Sequence, residues 1–333
     1  MSNDNKVVME KTCPEYDICD ILNCKTIGNI KELLNEKRKI NTLNVNKIKK
    51  TSFAGNNLVY HYFFEELLHT KKNNKYSFYD IWNDEEKRQE LIKQTIKRDR
   101  RKKEKIIHPE DLYECWRINN GAITFFKPSV MKQLLFTLFP TLTSGVEFPP
   151  QSKIKILDLS MGWGGRLIGA MALENSTLAD IEYVGYDTNK SLKIPYEALI
   201  NQIYPNKGAN IHLHYKDFIN VNDDYEDEYF DCMISSPPYN NLEVYSHMNP
   251  FHSKNEYYEW LNTYIMSATL KVKKGGYVAI SLSKQIYDEM IKRRPDLKCS
   301  WIELMGQQMG KSNKKDYWLK TSKNFKAIKI FII

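Results

Sequence analysis

A serine, two prolines and a tyrosine follow a short apolar stretch in the second half of the chain. Phe230–Ser235 is typical of a buried strand, and the tetrapeptide Ser236-Pro237-Pro238-Tyr239 comes directly after it. Proline has no N–H group to extend a strand ladder, so the chain must leave the sheet here. The Ser236 hydroxyl and the Pro237 carbonyl could then accept hydrogen bonds from an amino group, while the Tyr239 ring could stack on a heterocycle. An ordinary turn after a strand would use the same four residues.

A second segment has the composition of a loop that approaches a nucleotide. Ile154–Asp158 is typical of a strand, and a helix is expected from Arg166 onwards. A glycine-rich turn lies between them, with Ser160, Gly162, Gly164 and Gly165. This order brings backbone N–H groups to a ligand at a helix N-terminus. The turn is neither a P-loop nor a dinucleotide fingerprint, because no Gly-Lys-Ser/Thr follows and the glycines are too closely spaced. Tight packing of helix on strand is the alternative explanation.

Together, the two segments resemble those of the S-adenosylmethionine-dependent DNA amino-methyltransferases. In that family, an acid at a strand end and a glycine-rich loop bind the cofactor. A Ser/Asn/Asp-Pro-Pro-aromatic motif then holds the target amino group. The matching residues here are Asp158, Gly162, Gly164 and Gly165 for the first motif, and Ser236, Pro237, Pro238 and Tyr239 for the second. The resemblance covers about residues 115–333, and the cofactor loop comes first, as in the classes that are not circularly permuted.

Two further acids are candidate ligands of the S-adenosylmethionine cofactor that the resemblance implies. Asp187 ends a predicted strand at 181–187, where a carboxylate can accept hydrogen bonds from both ribose hydroxyls, as in other nucleotide-binding α/β folds. A helix cap is its alternative role. Asp217 follows a predicted strand at 211–215, and the resemblance implies that it accepts the adenine amino group of the cofactor.

A segment before the cofactor strand also matches the family. Phe126, Lys127 and Pro128 resemble the Phe-x-Pro-like residues that close over the methionine end of the cofactor. The same residues would also suit the start of a plain packing helix, because proline is favoured at the first helical position. Ser160, in the glycine-rich loop, is counted with the implied cofactor-binding residues.

The order of elements and the resemblance predict an α/β protein with a Rossmann-like methyltransferase fold. Its sheet is expected to be mostly parallel and seven-stranded, with a C-terminal antiparallel strand pair, next to a helical N-terminal region. The five parallel strands are expected at 154–158, 181–187, 211–215, 230–235 and 277–282, after a turn at Gly275-Gly276. The antiparallel pair is expected at 301–304 and 327–333. Residues 1–110 are predicted to be a mostly helical basic region, and residues 111–333 the methyltransferase domain.

Positive charge is concentrated in the first part of the chain. The formal net charge is +8, and residues 1–150 contain 26 Lys and Arg against 20 Asp and Glu. The candidate phosphate contacts lie in two basic stretches and are Arg98, Arg100, Arg101, Lys102, Lys311 and Lys314. Such contacts would add salt-dependent affinity for nucleic acid without base specificity. A solvated helix end and a long hairpin loop would have the same composition.

Cysteines and apolar runs argue for an intracellular protein. The six cysteines show no paired C-x-x-C spacing, and we expect them to be reduced thiols without a metal. Cys13, Cys19 and Cys24 lie close together in the sequence, and a metal site there is the alternative, which lacks a fourth ligand at a suitable spacing. No apolar run is long enough to cross a membrane, and the N-terminus does not have the pattern of a signal peptide. Secretion is therefore not expected.

The reaction that the resemblance implies is direct methyl transfer to the amino nitrogen of a base flipped out of double-stranded DNA. Ser236 and the Pro237 carbonyl would accept both amino hydrogens, and Tyr239 would stack on the base. Within the family that the chain resembles, serine at the first motif position favours N4 of cytosine, and N6 of adenine is the alternative target. The alternative from a different functional class is that the protein is a non-catalytic, nucleic-acid-binding subunit of a methyltransferase complex. Target recognition would come from residues 1–110, from loops, or from a partner subunit, as in restriction-modification-like systems.

Overall fold

The computed structural model describes most of the chain. The described residues are 11–44, 52–72, 75–98, 106–121, 124–139, 153–175, 179–240, 243–244, 250–297, 316–321 and 329–332. The helices within them are α1 (Ile18–Asn23), α2 (Ile30–Asn41), α3 (Asn56–His69), α4 (Phe78–Trp82), α5 (Glu85–Arg98), α6 (Pro109–Asn119), α7 (Pro128–Leu138), α8 (Gly165–Glu174), α9 (Lys193–Ile203), α10 (Val221–Asp224), α11 (Lys254–Lys271) and α12 (Lys284–Arg293). The strands are β1 (Lys71–Lys72), β2 (Lys153–Asp158), β3 (Asp180–Tyr186), β4 (Ile211–His214), β5 (Phe230–Ser235), β6 (Glu243–Val244), β7 (Val272–Ser283), β8 (Asp316–Thr321) and β9 (Lys329–Ile332).

The main sheet has the strand order β4-β3-β2-β5-β7-β8-β9. The first five strands in this order are parallel to their neighbours, as predicted for an α/β protein with a mostly parallel sheet. β8 runs antiparallel to β7, and β9 runs antiparallel to β8. β9 falls within the strand predicted at 327–333, whereas β8 was not predicted. The predicted strand at 301–304 lies outside the described residues.

The turn predicted at Gly275-Gly276 is wrong, because β7 runs through these residues. The strand contains a register shift against β5 between Phe230 and Cys232, and Gly275 has a φ of 82°. A Cβ atom on Gly276 would lie 2.5 Å from the Asp231 carbonyl oxygen. The two glycines therefore allow an irregular strand to pass close to its neighbour.

Helix starts follow local capping chemistry. Asn29 accepts a hydrogen bond from the Glu32 N–H group at 3.0 Å and caps α2, and Ser253 caps α11 in the same way. Pro128 is at the first turn of α7, where its missing N–H group costs nothing. Among the described residues, no helix is both long and apolar enough to cross a membrane.

The chain divides into two compact units. The first contains residues 1–26, 64–124 and 243–246. It is rich in helices and aromatic contacts, and the Trp116 indole donates a hydrogen bond to the Tyr76 carbonyl at 3.2 Å. The rings of Phe64 and Tyr113 meet edge to face with centroids 4.8 Å apart. β1 and β6 pair antiparallel within this unit.

The second unit contains residues 27–63, 125–242 and 247–333, including the main sheet. This division differs from the predicted boundary at residue 110. Lys132 on α7 explains part of the difference, because its buried ammonium group donates to the last carbonyls of α2, at 3.0 Å to Ile40 and 2.7 Å to Asn41. Phe63 packs edge to face on Tyr196, with ring centroids 4.9 Å apart. Local composition does not reveal such long-range packing.

Candidate active site

The two motif segments meet at the point where the strand order of the sheet reverses. From β2 the chain proceeds outwards to β3 and β4 on one side, and β5 lies against β2 on the other side. Ligands of open α/β sheets bind outside the carboxyl ends of the strands at this switch point. The Ser235 hydroxyl at the end of β5 donates to the Asp158 carboxylate at the end of β2, over 2.7 Å. The structure thus joins segments that are far apart in sequence.

Asp158 is fully buried, and protein donors surround its carboxylate. Oδ1 accepts hydrogen bonds from the Ser235 hydroxyl at 2.7 Å and from the Ser160 N–H group at 3.2 Å. Oδ2 accepts from the Arg166 Nε–H group and the Tyr183 hydroxyl, both at 2.6 Å. A carboxylate has about four acceptor positions, so these donors fill the group. Asp158 therefore organises the surrounding loop rather than presenting its oxygens to a ligand.

Arg166 is the buried cation of this cluster. Its side chain is only 5% exposed, and it also donates to the Ser160 carbonyl inside the glycine-rich loop. Burial alone would lower the pKa of Arg166, but the Asp158 carboxylate outweighs this effect and holds that pKa above its ordinary value. The guanidinium carbon also lies 5.3 Å from the centre of the Phe126 ring. One arginine therefore connects the first helix turn, the strand end and the loop.

A directed chain of hydroxyl groups connects the loop to α11. Tyr264 on α11 donates to Ser235 at 2.7 Å, and its oxygen is 2.9 Å from the Ser160 hydroxyl. Because Asp158 can only accept, Ser235 donates to it, Tyr264 donates to Ser235, and Ser160 donates to Tyr264. Burial raises the pKa of Tyr264, so its hydroxyl keeps its proton in this chain. Ser160, a predicted cofactor-binding residue, is thereby oriented by a residue 104 positions away.

The glycine-rich loop has two residues in left-handed backbone conformations. Gly162 has a φ of 54° and Gly164 a φ of 73°, which favour glycine. The buried Tyr196 hydroxyl holds the loop by hydrogen bonds to its backbone. It accepts from the Gly164 N–H group at 3.0 Å and lies 3.1 Å from the Met161 carbonyl and 2.9 Å from the Gly162 carbonyl. Sequence reasoning did not identify Tyr196, because nothing near it in the chain indicates this contact.

The predicted glycines differ in what surrounds them. A Cβ atom on Gly164 would lie 2.6 Å from the Phe63 ring, and one on Gly165 would lie 1.9 Å from the Phe126 carbonyl oxygen. At Gly162 the nearest atom would be 3.9 Å away. Gly164 and Gly165 therefore allow close packing, but against a ring on α3 and a carbonyl before α7 rather than between helix and strand, as the alternative explanation had it. Gly162 alone has room beside its backbone for a ligand.

The predicted Phe-x-Pro-like segment is packed against the start of α8. Phe126, Lys127 and Pro128 are all buried. The Lys127 ammonium group lies 4.8 Å from the centre of the Phe53 ring, and burial lowers the pKa of Lys127 to about 8. The segment lies next to the glycine-rich loop through Gly165, and contact of its side chains with a cofactor stays a prediction.

The two remaining predicted ligands lie at the ends of β3 and β4. Asp187 accepts hydrogen bonds from the N–H groups of Gly162 and Asn189, both at 2.9 Å. Its carboxylate is thus held beside the open part of the glycine-rich loop. Asp217 is exposed, and its Oδ1 accepts from the Ile219 N–H group at 2.9 Å. Phe218 after it packs on the Tyr264 ring, with centroids 4.9 Å apart.

The tetrapeptide at 236–239 follows β5, and some of its polar atoms form hydrogen bonds within the protein. The Ser236 hydroxyl is 3.0 Å from the Tyr239 hydroxyl, which is also 3.0 Å from the hydroxyl of Ser281 on β7. Tyr257 on α11 donates to the Pro238 carbonyl at 3.1 Å. Within the described part of the chain, no donor reaches the Pro237 carbonyl. The role of Ser236 and Pro237 as an acceptor pair stays a prediction.

The predicted phosphate contacts are only partly described. Arg98 is exposed at the end of α5 and donates to Asn119 at 2.7 Å. The other five, Arg100, Arg101, Lys102, Lys311 and Lys314, lie outside the described residues. In the part of the chain that the structure describes, no cluster of His, Cys, Asp and Glu could hold a metal ion.

No family model and no curated protein matches this chain. The solved structures that are similar to it include the following three. A Listeria monocytogenes protein with a provisional assignment as a class I S-adenosylmethionine-dependent methyltransferase is 14% identical, over 93% of this chain and 88% of that chain, with a TM-score of 0.43. A predicted O-methyltransferase of Agrobacterium tumefaciens is 18% identical, over 52% and 70%, with a TM-score of 0.31. A tRNA (m1A58) methyltransferase of Aquifex aeolicus is 10% identical, over 51% and 53%, with a TM-score of 0.31. At these identities and TM-scores, the function must be inferred from the site itself.

Proposed function

We propose that this protein is an S-adenosylmethionine-dependent methyltransferase that modifies the exocyclic amino group of a DNA base. N4 of cytosine is the favoured target, and N6 of adenine is the alternative. The observation that carries the proposal is the 2.7 Å hydrogen bond between Ser235 and Asp158. It brings the glycine-rich loop and the Ser-Pro-Pro-Tyr segment together at the switch point of the sheet, where such folds bind their ligands.

The residues around the loop fit a nucleoside cofactor. Gly162 has open space beside its backbone, and the Asp187 carboxylate lies next to it at 2.9 Å from the Gly162 nitrogen. Asp187 would hold the ribose hydroxyls, and Asp217 would hold the adenine amino group. When bound, S-adenosylmethionine supplies an electrophilic methyl group. The buried cluster around Asp158 keeps the loop in place for that ligand.

The end of β5 fits an amino group as acceptor of the methyl group. An exocyclic base nitrogen is conjugated to its ring and is therefore a poor nucleophile. Hydrogen bonds from its two N–H groups to the Ser236 oxygen and the Pro237 carbonyl would pull it toward tetrahedral geometry and free its lone pair. Ser236 is half-buried and Pro237 is buried, so a base must leave a duplex to reach them. The ring of Tyr239 would form one wall of that site.

DNA as the substrate is supported by charge. The chain has a net charge of +8, with its densest basic stretch around Arg98. We also propose that these basic residues, or a partner subunit, recognise the target DNA. Binding that depends on phosphate contacts would weaken as salt is raised.

Methyl transfer from labelled S-adenosylmethionine to double-stranded DNA, single-stranded DNA and RNA tests this function. Product nucleosides would be resolved by mass spectrometry for the wild type, Ser236→Ala and the exposed control Ser191→Ala. We expect N4-methylcytosine or N6-methyladenine from DNA with the wild type and Ser191→Ala, and a loss of at least about tenfold in rate with Ser236→Ala, equal to about 1.4 kcal/mol of barrier. An enzyme that binds S-adenosylhomocysteine but methylates no DNA base would refute the proposal, and methylated RNA would redirect it.

A further inference from the structure

We propose that Tyr257 on α11 is a positioning residue of this site, which holds the Ser-Pro-Pro-Tyr segment so that the carbonyl of Pro237, rather than that of Pro238, faces the amino group of the base. The Tyr257 hydroxyl donates a hydrogen bond to the Pro238 carbonyl at 3.1 Å. Its oxygen also accepts a hydrogen bond from the Asn240 N–H group. This inference rests on the proposed function, because it concerns the carbonyl that would receive an amino hydrogen.

Chemistry fixes the direction of both hydrogen bonds. A carbonyl can only accept and an N–H group can only donate, so Tyr257 donates to Pro238 and accepts from Asn240. Tyr257 is buried, and burial raises the pKa of Tyr257, so its hydroxyl keeps the proton that it donates. One buried hydroxyl therefore fixes the backbone on both sides of Tyr239.

The backbone after the tetrapeptide needs such a contact because of Asn240. This residue has a φ of 53°, a left-handed conformation that is uncommon for residues other than glycine. Its side-chain Oδ1 is buried and has no hydrogen-bond partner among the described residues, so that oxygen does not hold the conformation. The hydrogen bond from its backbone N–H group to Tyr257 offsets part of the cost instead.

The two prolines make the segment dependent on contacts of this kind. Pro237 and Pro238 have no N–H groups, so their carbonyls are the only polar atoms that can hold them or meet a ligand. Residues 236–239 are neither helix nor strand, and in extended or polyproline-type backbone successive carbonyls point in different directions. Tyr257 binds the Pro238 carbonyl toward α11, which directs the Pro237 carbonyl away from this helix.

Tyr264, about two turns further along α11, provides a matched comparison. It donates to Ser235 at 2.7 Å, directly before the tetrapeptide, and its oxygen is also 2.9 Å from the Ser160 hydroxyl in the glycine-rich loop. In the described part of the chain, the Tyr257 hydroxyl makes no hydrogen bond to that loop. Tyr264 should therefore affect both the cofactor and the base, and Tyr257 the base alone.

Tyr257→Phe and Tyr264→Phe test this role, because each removes one hydroxyl and keeps the ring. Steady-state DNA methylation gives kcat, and calorimetry gives the Kd of S-adenosylhomocysteine. We expect Tyr257→Phe to lower kcat by about tenfold through a misplaced acceptor, with that Kd within about twofold of the wild type. Tyr264→Phe should weaken binding of S-adenosylhomocysteine by at least about fivefold, because the glycine-rich loop loses a partner. Full kcat in Tyr257→Phe, or equal losses of cofactor affinity in the two variants, would overturn the inference.

Two substitutions at residue 240 test the held backbone. Asn240→Gly and Asn240→Val both keep the N–H group that Tyr257 binds. Glycine suits the left-handed conformation, whereas a β-branched residue rarely adopts it. We therefore expect kcat of Asn240→Gly to exceed that of Asn240→Val by at least about fivefold. Equal kcat values would contradict the role given to this backbone.

Urea unfolding midpoints provide a readout that needs no activity. If Tyr257 holds the backbone at Asn240, the midpoint shift of the double variant Tyr257→Phe/Asn240→Val will be smaller than the sum of the single shifts. Additive shifts would overturn the inference. A wild type that methylates no base would mean that the proposed function has failed. The midpoints alone would then decide whether Tyr257 holds this segment, with coupled shifts in support and additive shifts against.

Discussion

Removing Arg166 should destabilise the protein more than any surface charge change, because it leaves Asp158 buried without its cation. The perturbation is Arg166→Met, which keeps an apolar stem of similar length. Asp158 is fully buried, and Arg166 is bound to it at 2.6 Å. The change also removes the bond from Arg166 to the Ser160 carbonyl. The loop would lose both its cation and one of its anchors.

The expected magnitude follows from the burial of the pair. Breaking a buried ion pair by removing one partner costs about 3–5 kcal/mol of the free energy of unfolding. Asp158 would keep donors from Tyr183, Ser235 and the Ser160 nitrogen, so we expect the lower end, about 3 kcal/mol. Proteins have free energies of unfolding of about 5–15 kcal/mol, so this loss is a large fraction.

Urea unfolding followed by circular dichroism would measure the effect. The matched control is Lys193→Met, which breaks an ion pair with Glu197 at 3.9 Å whose partners are 63% and 58% exposed. Such a pair contributes less than about 0.5 kcal/mol. Arg166→Lys should fall between the two, because lysine keeps the charge but lacks the planar donors. A loss below about 1 kcal/mol in Arg166→Met would contradict the assigned role of the ion pair.

Three further changes test other contacts of the site. Tyr196→Phe removes the hydroxyl that holds the glycine-rich loop, so we expect a loss of about 1–3 kcal/mol in urea unfolding and weaker S-adenosylhomocysteine binding by calorimetry. Gly165→Ala places a Cβ atom 1.9 Å from the Phe126 carbonyl oxygen and should lower the free energy of unfolding by about 1–3 kcal/mol. The control Gly208→Ala has open space around its Cβ atom and should change that free energy by less than about 0.5 kcal/mol. Equal urea midpoints of the two variants would argue against the close packing. Burial raises the pKa of Tyr183 well above that of an unfolded tyrosine, so the contribution of Tyr183 to stability should be constant below about pH 10 and fall above it. The urea midpoint of the wild type relative to that of Tyr183→Phe should therefore fall from about pH 10 to 11; an unchanged difference between the two would be inconsistent with this burial.

The parallel core was predictable because its signals are local. Strands that are buried on both faces are mostly apolar, and Ile154–Asp158 and Phe230–Ser235 are short segments of this kind, interrupted by one charged residue each before the strand end, Lys155 and Asp231. Two prolines mark the end of β5 without ambiguity. β8 was not predicted, because Asp316–Thr321 mixes charged and aromatic residues, and it is a strand through pairing with β7. Its partner lies more than thirty residues away in sequence, and no local pattern reports such a pairing.

The two motif segments were predictable from the sequence, but their contacts were not. The resemblance assigned Asp158 to the cofactor, and the structure places four protein donors on its carboxylate. Tyr183 and Tyr264 come from elements that the motifs do not include. Their hydroxyl groups matter only because folding brings them to Asp158 and Ser235. Sequence motifs thus point to the loop and the strand end, while the residues that hold them come from distant segments.

Two adjacent serines show how this distinction can be measured. Ser235 is fully buried and connects Tyr264 to Asp158, whereas Ser236 is half-buried and connects to Tyr239. Ser235→Ala removes a donor from a buried carboxylate, so we expect a loss of about 1–3 kcal/mol in the free energy of unfolding and weaker S-adenosylhomocysteine binding. Ser236→Ala should leave both quantities nearly unchanged and lower methyl transfer alone. If the two variants weakened cofactor binding equally, the separation between a loop-holding serine and a ligand-facing serine would be wrong. Both serines would then act by holding the glycine-rich loop, and neither could be assigned to the methyl acceptor.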